Sequence, residues 1–284
     1  MKKSKLVPAF LMVLPLIACS SVATSTKISN AEGLELLENV ASSLSSNKVT
    51  KYTDRSHISS SRDLYSKLPV DSVTDYCYYD GDNGFVNYQT IDPESYEISL
   101  SYLYVKEASL YSVVKNEYSV TNYESTALAL AAWTKQAEAL YSPKGVTARA
   151  LIMATLYLSG TTSSSSSSKA KTLGAASSTS SSTTSASEDG GSCYKDIEGD
   201  GFAVYYKLSE SASNMTFSSN DEITFKNGLV TTDFIDTKNT KTDKTYNGLS
   251  MSHEYTYGVA AFTYPDINNM TIMNSSSSSA SLPS

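Results

Sequence analysis

The feature that most limits what this chain can fold into is a nearly unbroken apolar stretch at residues 146–158, VTARALIMATLYL. Its length and composition predict a helix that must be covered on most sides or must face something apolar. A second helix is predicted directly before it, at residues 121–141, where apolar side chains recur at helical spacing after a capping box at Thr121 and Glu124. Ser142-Pro143-Lys144-Gly145 separates the two helices.

Strand signals flank this helical pair on both sides. The clearest strand is residues 96–104, where apolar side chains alternate with polar ones, so that one face of the sheet is expected to be buried. Asn227-Gly228 predicts a type I′ hairpin turn. The other predicted strands are residues 49–59, 70–79, 85–88, 110–120, 193–208, 215–234, 249–257 and 259–264.

A third helix is predicted near the start, at residues 30–46, with Asn30 as its cap. The order of elements favours one α+β domain over residues 29–272, a curved, half-barrel-like antiparallel sheet with an N-terminal helix and two further helices on one face. Residues 159–192, rich in serine, are predicted to be a disordered insert, and residues 273–284 a disordered tail. The alternative is two small domains joined by the insert.

The first residues have the organisation of an export signal. Three lysines precede the apolar run at residues 6–17, which is too short to span a bilayer, since a spanning helix needs roughly 20 residues. Leu16-Ile17-Ala18-Cys19 resembles the lipobox of bacterial lipoproteins. The resemblance implies cleavage of a signal peptide at residues 1–18, diacylglyceryl and palmitate attachment at Cys19, and a tether at residues 19–28. The chain would then lie on the extracytoplasmic face of the cell membrane. An ordinary signal peptide with a chance cysteine is the alternative.

The charge and the missing motifs exclude several functions. The whole chain has a net charge of −7, and without residues 1–18 it has 19 basic and 29 acidic residues, a net charge of −10. An acidic surface argues against nucleic acid and against docking on anionic lipid by charge. The two histidines, His57 and His253, accompany no catalytic, phosphate-binding or dinucleotide-binding motif. We therefore predict no enzyme and no cofactor, and a hydrogen-bonded, half-buried role for His253.

Two acidic strings and two cysteines leave alternatives open. Asp196 to Gly201 has the first spacing of a calcium loop, but Lys207 stands where a glutamate ligand is needed. We interpret it, and the string from Asp80 to Gly84, as turns and predict no metal site. Cys77 and Cys193 could form a disulfide outside the cell, or remain two buried thiols.

The order of elements resembles half-barrel lipoproteins of the LolA, LppX and LprG type. The matching pieces are residues 30–46, 96–104, 121–158 and the ending at 257–265. The resemblance implies a non-enzymatic binder or carrier of lipid or another hydrophobic ligand, anchored to the membrane by its lipid. Its cavity would be lined by Ile98, Leu100, Tyr102, Trp133, Leu151, Ile152 and Leu156. These seven residues could instead form a dry core, and the 21 tyrosines either fill strands or line a ligand site. The alternative function is a cell-surface interaction or adhesion lipoprotein without a small-molecule ligand.

Overall fold

A computed structural model describes residues 25–60, 71–91, 98–160, 190–196, 199–212, 215–241, 244–258 and 261–278. Within these ranges the chain forms three helices and one sheet of thirteen strands. The helices are α1 (Asn30–Leu44), α2 (Thr126–Tyr141) and α3 (Pro143–Ser159). The strands are β1 (Ser25–Ile28), β2 (Lys51–Ser60), β3 (Asp71–Asp80), β4 (Phe85–Ile91), β5 (Ile98–Lys106), β6 (Ser109–Val114), β7 (Glu117–Asn122), β8 (Gly190–Asp196), β9 (Phe202–Ala212), β10 (Met215–Lys226), β11 (Leu229–Lys241), β12 (Lys244–Tyr257) and β13 (Thr271–Ser277).

Two runs of sequential antiparallel strands make up most of the sheet. Strands β2 to β7 form the first run and β8 to β12 the second, and they join where β12 pairs with β2. Asn227 and Gly228 both have positive φ in the two-residue turn between β10 and β11, so the predicted type I′ hairpin is confirmed. Residues 110–120, predicted as a single strand, turn at Lys115 and belong to the β6–β7 hairpin.

The first and last strands of the described chain each add to the run of strands formed by the other half of the chain. The N-terminal β1 pairs with β8, so it lies at the free edge of the second run. The C-terminal β13 pairs with β7 at the free edge of the first run, and this pairing is parallel. The sheet is therefore mixed and open, with β1 and β13 as its two edges.

The predicted fold class is wrong on these points. An antiparallel, half-barrel-like sheet preceded by a helix was expected, whereas the described chain begins with a strand and the sheet is mixed and not closed. The physical reason is that β1 and β13 are short and polar, and they join the sheet through backbone hydrogen bonds. Neither has the apolar alternation by which a strand is predicted from sequence.

Short polar side chains cap the three helices. Ser29, and not Asn30, caps α1 in a capping box with Glu32. Ser125 caps α2. The predicted capping box began at Thr121, which instead lies in strand β7. Ser142 caps α3, Pro143 opens it, and Gly160 ends it in the left-handed conformation. No helix in the described part of the chain has the length and apolar content needed to cross a membrane.

The helices cover one face of the sheet, which we call the inner face. There α2 contacts β5 and β6, while α3 contacts β8, β9 and β11. Trp133 on α2 is fully buried and lies against Tyr79, with ring centroids 5.3 Å apart. A β-carbon at Gly33 would lie 2.8 Å from Leu158 Cδ1, so glycine lets α1 and α3 approach closely. This inner core is the main hydrophobic cluster of the structure.

A second, smaller core lies on the opposite, outer face of β4, β5 and β6. It contains Phe85, Tyr104 and Val113, which are covered by residues 261–270. Phe262 stacks on Phe85 at a centroid distance of 4.1 Å, and the Tyr264 hydroxyl donates to the Val105 carbonyl at 3.3 Å. The predicted strand at residues 259–264 is, from 261 onward, this irregular covering segment. Strand β5 is therefore buried on both faces near its end, and not on one face as its alternation predicted.

The structure also shifts several predicted boundaries. Ser25–Ile28, assigned to the tether, forms β1, and Gly190 to Ser192, assigned to the insert, begin β8. Residues 273–277, assigned to the tail, belong to β13. The predicted signal peptide, the predicted lipidation site Cys19, residues 161–189 of the insert and residues 279–284 lie outside the described residues.

Candidate functional site

An open cavity of about 660 Å³ lies beside the sheet edge that carries β1. Four strands contribute to it: β1, β8, β9 and β10. Its described lining is Ser25, Lys27, Gly190, Gly191, Ser192, Tyr194, Tyr205, Tyr206, Lys207, Asn220 and Asp221. Cys193, between two of these residues, is buried in the inner core, so Ser192 and Tyr194 point to the outer face. The cavity therefore lies mainly on the face opposite the helices.

Two glycines shape the end of this cavity where β8 begins. A β-carbon at Gly191 would lie 2.1 Å from the Tyr157 carbonyl oxygen, so only glycine lets β8 approach α3 this closely. Gly190 has a φ of 130°, a conformation that side-chain-bearing residues rarely adopt. At this end the cavity wall is therefore backbone.

Three tyrosines supply the aromatic part of the lining. The rings of Tyr194 and Tyr205 meet edge to face at a centroid distance of 5.3 Å. The Tyr205 hydroxyl donates to Glu222 Oε1 at 3.1 Å, which holds that ring in place. Tyr206 stacks on Tyr157 of α3 at 4.5 Å, so its ring is buried on the inner face, and Tyr194 and Tyr205 supply the ring surface on the outer face. Aromatic rings held in this way offer rigid apolar surface to a ligand.

Two cations and one carboxylate give the cavity its charge. Asp221 is buried, and its carboxylate accepts hydrogen bonds from the Tyr157 hydroxyl at 2.6 Å and the Ser219 hydroxyl at 2.9 Å. Burial, and then the hydrogen bond to Asp221, raise the pKa of Tyr157, so it remains a donor. The hydrogen bond to Tyr157 places the Asp221 carboxylate on the inner face, so Lys27 and Lys207 are the cations that the lining carries on the outer face.

The seven residues predicted to line a cavity are not brought together. Trp133 and Leu151 belong to the inner core, and Trp133 Nε1 donates to the Leu103 carbonyl at 2.9 Å. Tyr102 packs against the outer core, and Leu100 shares its face by strand alternation. Ile152 and Leu156 are exposed on α3. The side chain of Ile98 lies outside the described residues.

This scatter has a simple physical origin. Apolar side chains identify a buried face, but they do not say which of the two sheet faces it is. Residues of β5 at even positions point away from the helices, whereas Leu103 and Val105 point toward them. On α3 the buried side is crowded with alanine, valine, tyrosine and leucine, and the remaining apolar residues are left outside.

The two cysteines of the predicted disulfide are carried by distant strands. Cys193 is a free, buried thiol in β8, and burial raises its pKa to about 11. Cys77 belongs to β3, and five strands of the sheet lie between β8 and β3. The structure thus does not pair them. The side chain of Cys77 lies outside the described residues.

A second polar group lies on the inner face and resembles a serine–histidine–aspartate arrangement. His253 Nδ1 is 2.9 Å from Asp54 Oδ2 and 3.3 Å from Ser56 Oγ. Both contacts use the same ring nitrogen, whereas nucleophilic catalysis needs the serine and the aspartate on opposite nitrogens. The group is therefore a hydrogen-bonded structural cluster, and His253 has the half-buried, hydrogen-bonded role that strand alternation predicts.

Charges around this cluster shift its proton affinities. Burial opposes the charged form of His253, but the hydrogen bond to Asp54 and the charges of Asp54 and Asp233 outweigh it, so the pKa of His253 is raised. Burial also raises the pKa of Asp233. Asp54 Oδ1 is buried without a hydrogen-bond partner among the described residues. Across the described ranges, no three His, Cys, Asp or Glu side chains are arranged to hold a metal ion.

The cavity residues were missed because no local pattern identifies them. Tyr194 and Tyr205 lie more than 160 residues from Lys27 along the chain, and the β1–β8 pairing that brings them together leaves no apolar signal. The abundance of tyrosine was the available clue. No model of a known protein family matches this chain, and no curated protein matches its sequence.

Proposed function

We propose that this chain is a membrane-anchored extracytoplasmic lipoprotein that binds a hydrophobic, amphiphilic ligand without transforming it. The observation that carries the proposal is the cavity beside β1, the strand that follows the lipidated Cys19. Five residues lie between Cys19 and Ser25, so the six steps along the chain limit their separation to about 20 Å. A ligand in the cavity would be held close to the bilayer.

The chemistry of the lining suits a ligand with an apolar body and an anionic head. A volume of about 660 Å³ lies within the range of about 300–1,000 Å³ typical of small-molecule sites. The rings of Tyr194 and Tyr205 would contact the apolar body. Lys27 and Lys207 would attract the head group.

Native mass spectrometry of the full mature protein tests this proposal. The protein is purified from its membrane, stripped of co-purifying lipid, and titrated with a fatty acid and with phosphatidylglycerol. Lys207→Glu reverses a charge in the lining, so we expect it to weaken binding about tenfold or more, from a loss of roughly 1.4 kcal/mol. Lys226→Glu makes the same change on β10, outside the lining, and should bind like the wild type.

Two results would contradict the proposal. Repeated recovery of the unstripped protein with no bound acyl species would exclude a carrier of lipid. Equal weakening by Lys207→Glu and Lys226→Glu would show that the net charge, and not the cavity, controls binding. Intact-mass analysis of the same sample reports whether residues 1–18 are removed and lipid is added at Cys19.

A cell-surface interaction protein is the second candidate, and strand β13 favours it. All seven residues of β13 are exposed, and its outer edge ends the sheet. An edge strand of this kind can accept an extended segment from another protein. Protease treatment of intact cells separates the candidates, because an adhesin displayed on the surface is cut readily and a membrane-proximal carrier is not.

A further inference from the structure

Helix α3 presents an apolar stripe to the surface on the side away from the sheet. Ile152 is 61% exposed, while Met153 and Leu156 are each 39% exposed. Their spacing of three and four residues places them on one side of the helix. Leu140, at the end of α2, is 50% exposed, and its carbonyl accepts a hydrogen bond from Arg149 of α3. We call these four exposed apolar residues the α3 patch.

Helix α3 differs in charge from the whole chain, although Glu138 of α2 lies two residues before Leu140 of the patch. Helix α3 carries Lys144 and Arg149 and no acidic residue, although the chain as a whole has a net charge of −7. The acidic side chains of α1 are Glu32, Glu35 and Glu38. The net negative charge of the chain predicts repulsion from anionic head groups, but α3 contributes no negative charge to it. An apolar stripe flanked by basic residues is typical of helices that lie in a membrane interface.

The last turn of α3 is fixed to the part of the chain that leads to the anchor. Asn30 Nδ2 donates to the Leu158 carbonyl at 3.2 Å and to the Gly191 carbonyl at 3.3 Å. Strand β1 begins at Ser25 and ends at Ile28, and Asn30 lies two residues after its end. Because β1 pairs antiparallel with β8, Ser25 lies beside Asp196, five residues or about 17 Å along the chain from this contact. The chain before Ser25 therefore starts within one short strand's length of the last turn of α3.

The size of the α3 patch argues for a bilayer and against a second copy of the chain. Four partly exposed side chains present roughly a few hundred Å² of apolar surface. Each partner of a stable protein interface contributes about 800 Å². Insertion of side chains into a lipid surface has no such requirement, because the lipid anchor already holds the protein there.

We propose that the α3 patch docks on the lipid bilayer, with Ile152, Met153 and Leu156 inserted at the boundary between head groups and acyl chains. The proposal rests on the lipid anchor of the proposed function. It gives the anchored domain one defined orientation, with the helices toward the membrane and the cavity beside β1 on the far side of the sheet, still within reach of the short tether. The occupant is the apolar part of the bilayer, so docking needs no particular head group.

Photo-crosslinking to vesicles tests the proposal. The mature lipoprotein is reconstituted in phosphatidylcholine vesicles that contain a lipid with a diazirine on its acyl chain, and crosslinked peptides are mapped by mass spectrometry. We expect crosslinks in the peptide that contains Ile152 and Leu156. The double variant Ile152→Glu/Leu156→Glu should lose about tenfold or more of this signal, because two apolar side chains that insert into the bilayer are replaced by charged ones.

Ile272→Glu is the matched control, since Ile272 is a 51% exposed isoleucine on β13 at the far edge of the sheet. It should crosslink like the wild type. Absence of crosslinks on α3, or equal loss in Ile272→Glu, would overturn the proposal. So would protection of Met153 from oxidation in the absence of vesicles, because the α3 patch would then be covered by the protein itself.

A Cys19→Ala mature chain, which has no lipid, separates this proposal from the proposed function. Added to the same vesicles at high lipid concentration, it should still crosslink weakly through α3 and lose that signal in the double variant. If intact mass shows that the native protein carries no lipid, the proposed function fails while this measurement still decides the docking. If the native protein is lipidated and α3 does not crosslink, only the docking fails.

Discussion

The two faces of the sheet are covered in different ways. On the inner face, three capped helices bury Trp133 completely, and its indole donates to a carbonyl of β5. On the outer face, residues 261–270 cover β4 to β6 without regular structure, and the half-buried Phe262 stacks on Phe85. The inner cover has its own backbone hydrogen bonds, whereas the outer cover depends on a few aromatic contacts. We infer that the inner core sets global stability and that the outer core opens locally.

The largest expected effect comes from removing the indole of the inner core. Trp133→Ala should lower the free energy of unfolding by about 3–5 kcal/mol, because it leaves a large cavity and removes the indole hydrogen bond to the Leu103 carbonyl. Urea unfolding followed by circular dichroism measures the loss. Trp133→Phe, the control, keeps most of the apolar volume and should lose less. A loss under about 1 kcal/mol for the alanine variant would show that the inner core does not dominate.

A smaller effect is expected from the outer core. Phe262→Ala should lower the free energy of unfolding by only about 1–2 kcal/mol, since Phe262 is half-buried and loses mainly its stacking on Phe85. Hydrogen exchange should rise in β13 and β7, but not in α2. Phe262→Leu keeps an apolar side chain, so its free energy of unfolding should lie between those of the wild type and Phe262→Ala. Uniformly faster exchange, including α2, would show that the two cores unfold together.

The smallest effect is a pH dependence of the polar cluster on the inner face. The pKa of His253 is raised above 6.5, so its protonated form stabilises the fold; this contribution is complete below pH 6.5 and is lost as pH rises through the raised pKa. The stability advantage of the wild type over His253→Gln should therefore shrink as pH rises above 6.5. Urea unfolding at several pH values measures it.

Asp54→Asn provides the control for this pH dependence. It removes the charge and hydrogen bond that raise the pKa of His253, so the shrinkage should be reduced in that background. An unchanged pH dependence in the Asp54→Asn background would assign it to another group. Asp233, whose pKa burial also raises, contributes in the same direction from about pH 3.8 upward.

The contrast between the covers of the two faces also explains which parts of the fold could be predicted from the sequence. The helices lie on segments with helical apolar spacing, and the hairpin turn at Asn227-Gly228 follows from the conformations that those two residues adopt. The outer cover has neither signal. Phe262 and Tyr264 alternate like strand residues, but their partners are rings on β4 and β5, and such pairing does not show in local sequence.

The candidate site was less predictable than the fold. Its lining depends on β1, whose four residues, Ser-Thr-Lys-Ile, have no strand pattern strong enough to detect. The need for glycine at position 191 becomes clear only from the structure, where its backbone lies against Tyr157 of α3. Ile152 and Leu156 were predicted to line the cavity but are exposed, because an apolar residue on an apolar helix carries no sign of whether it points in or out.

The exchange of terminal strands has a consequence for how the chain is put together. Ser25–Ile28 pairs with residues 193–196, and Thr271–Ser277 pairs back with residues 117–122. As the chain is synthesised from its N-terminus, its first strand has no neighbour until more than 160 further residues have followed. Strand β1 would thus join the sheet late. Once it has joined, a protease cut between Gly160 and Gly190 would leave two fragments still held together by three separate strand pairings.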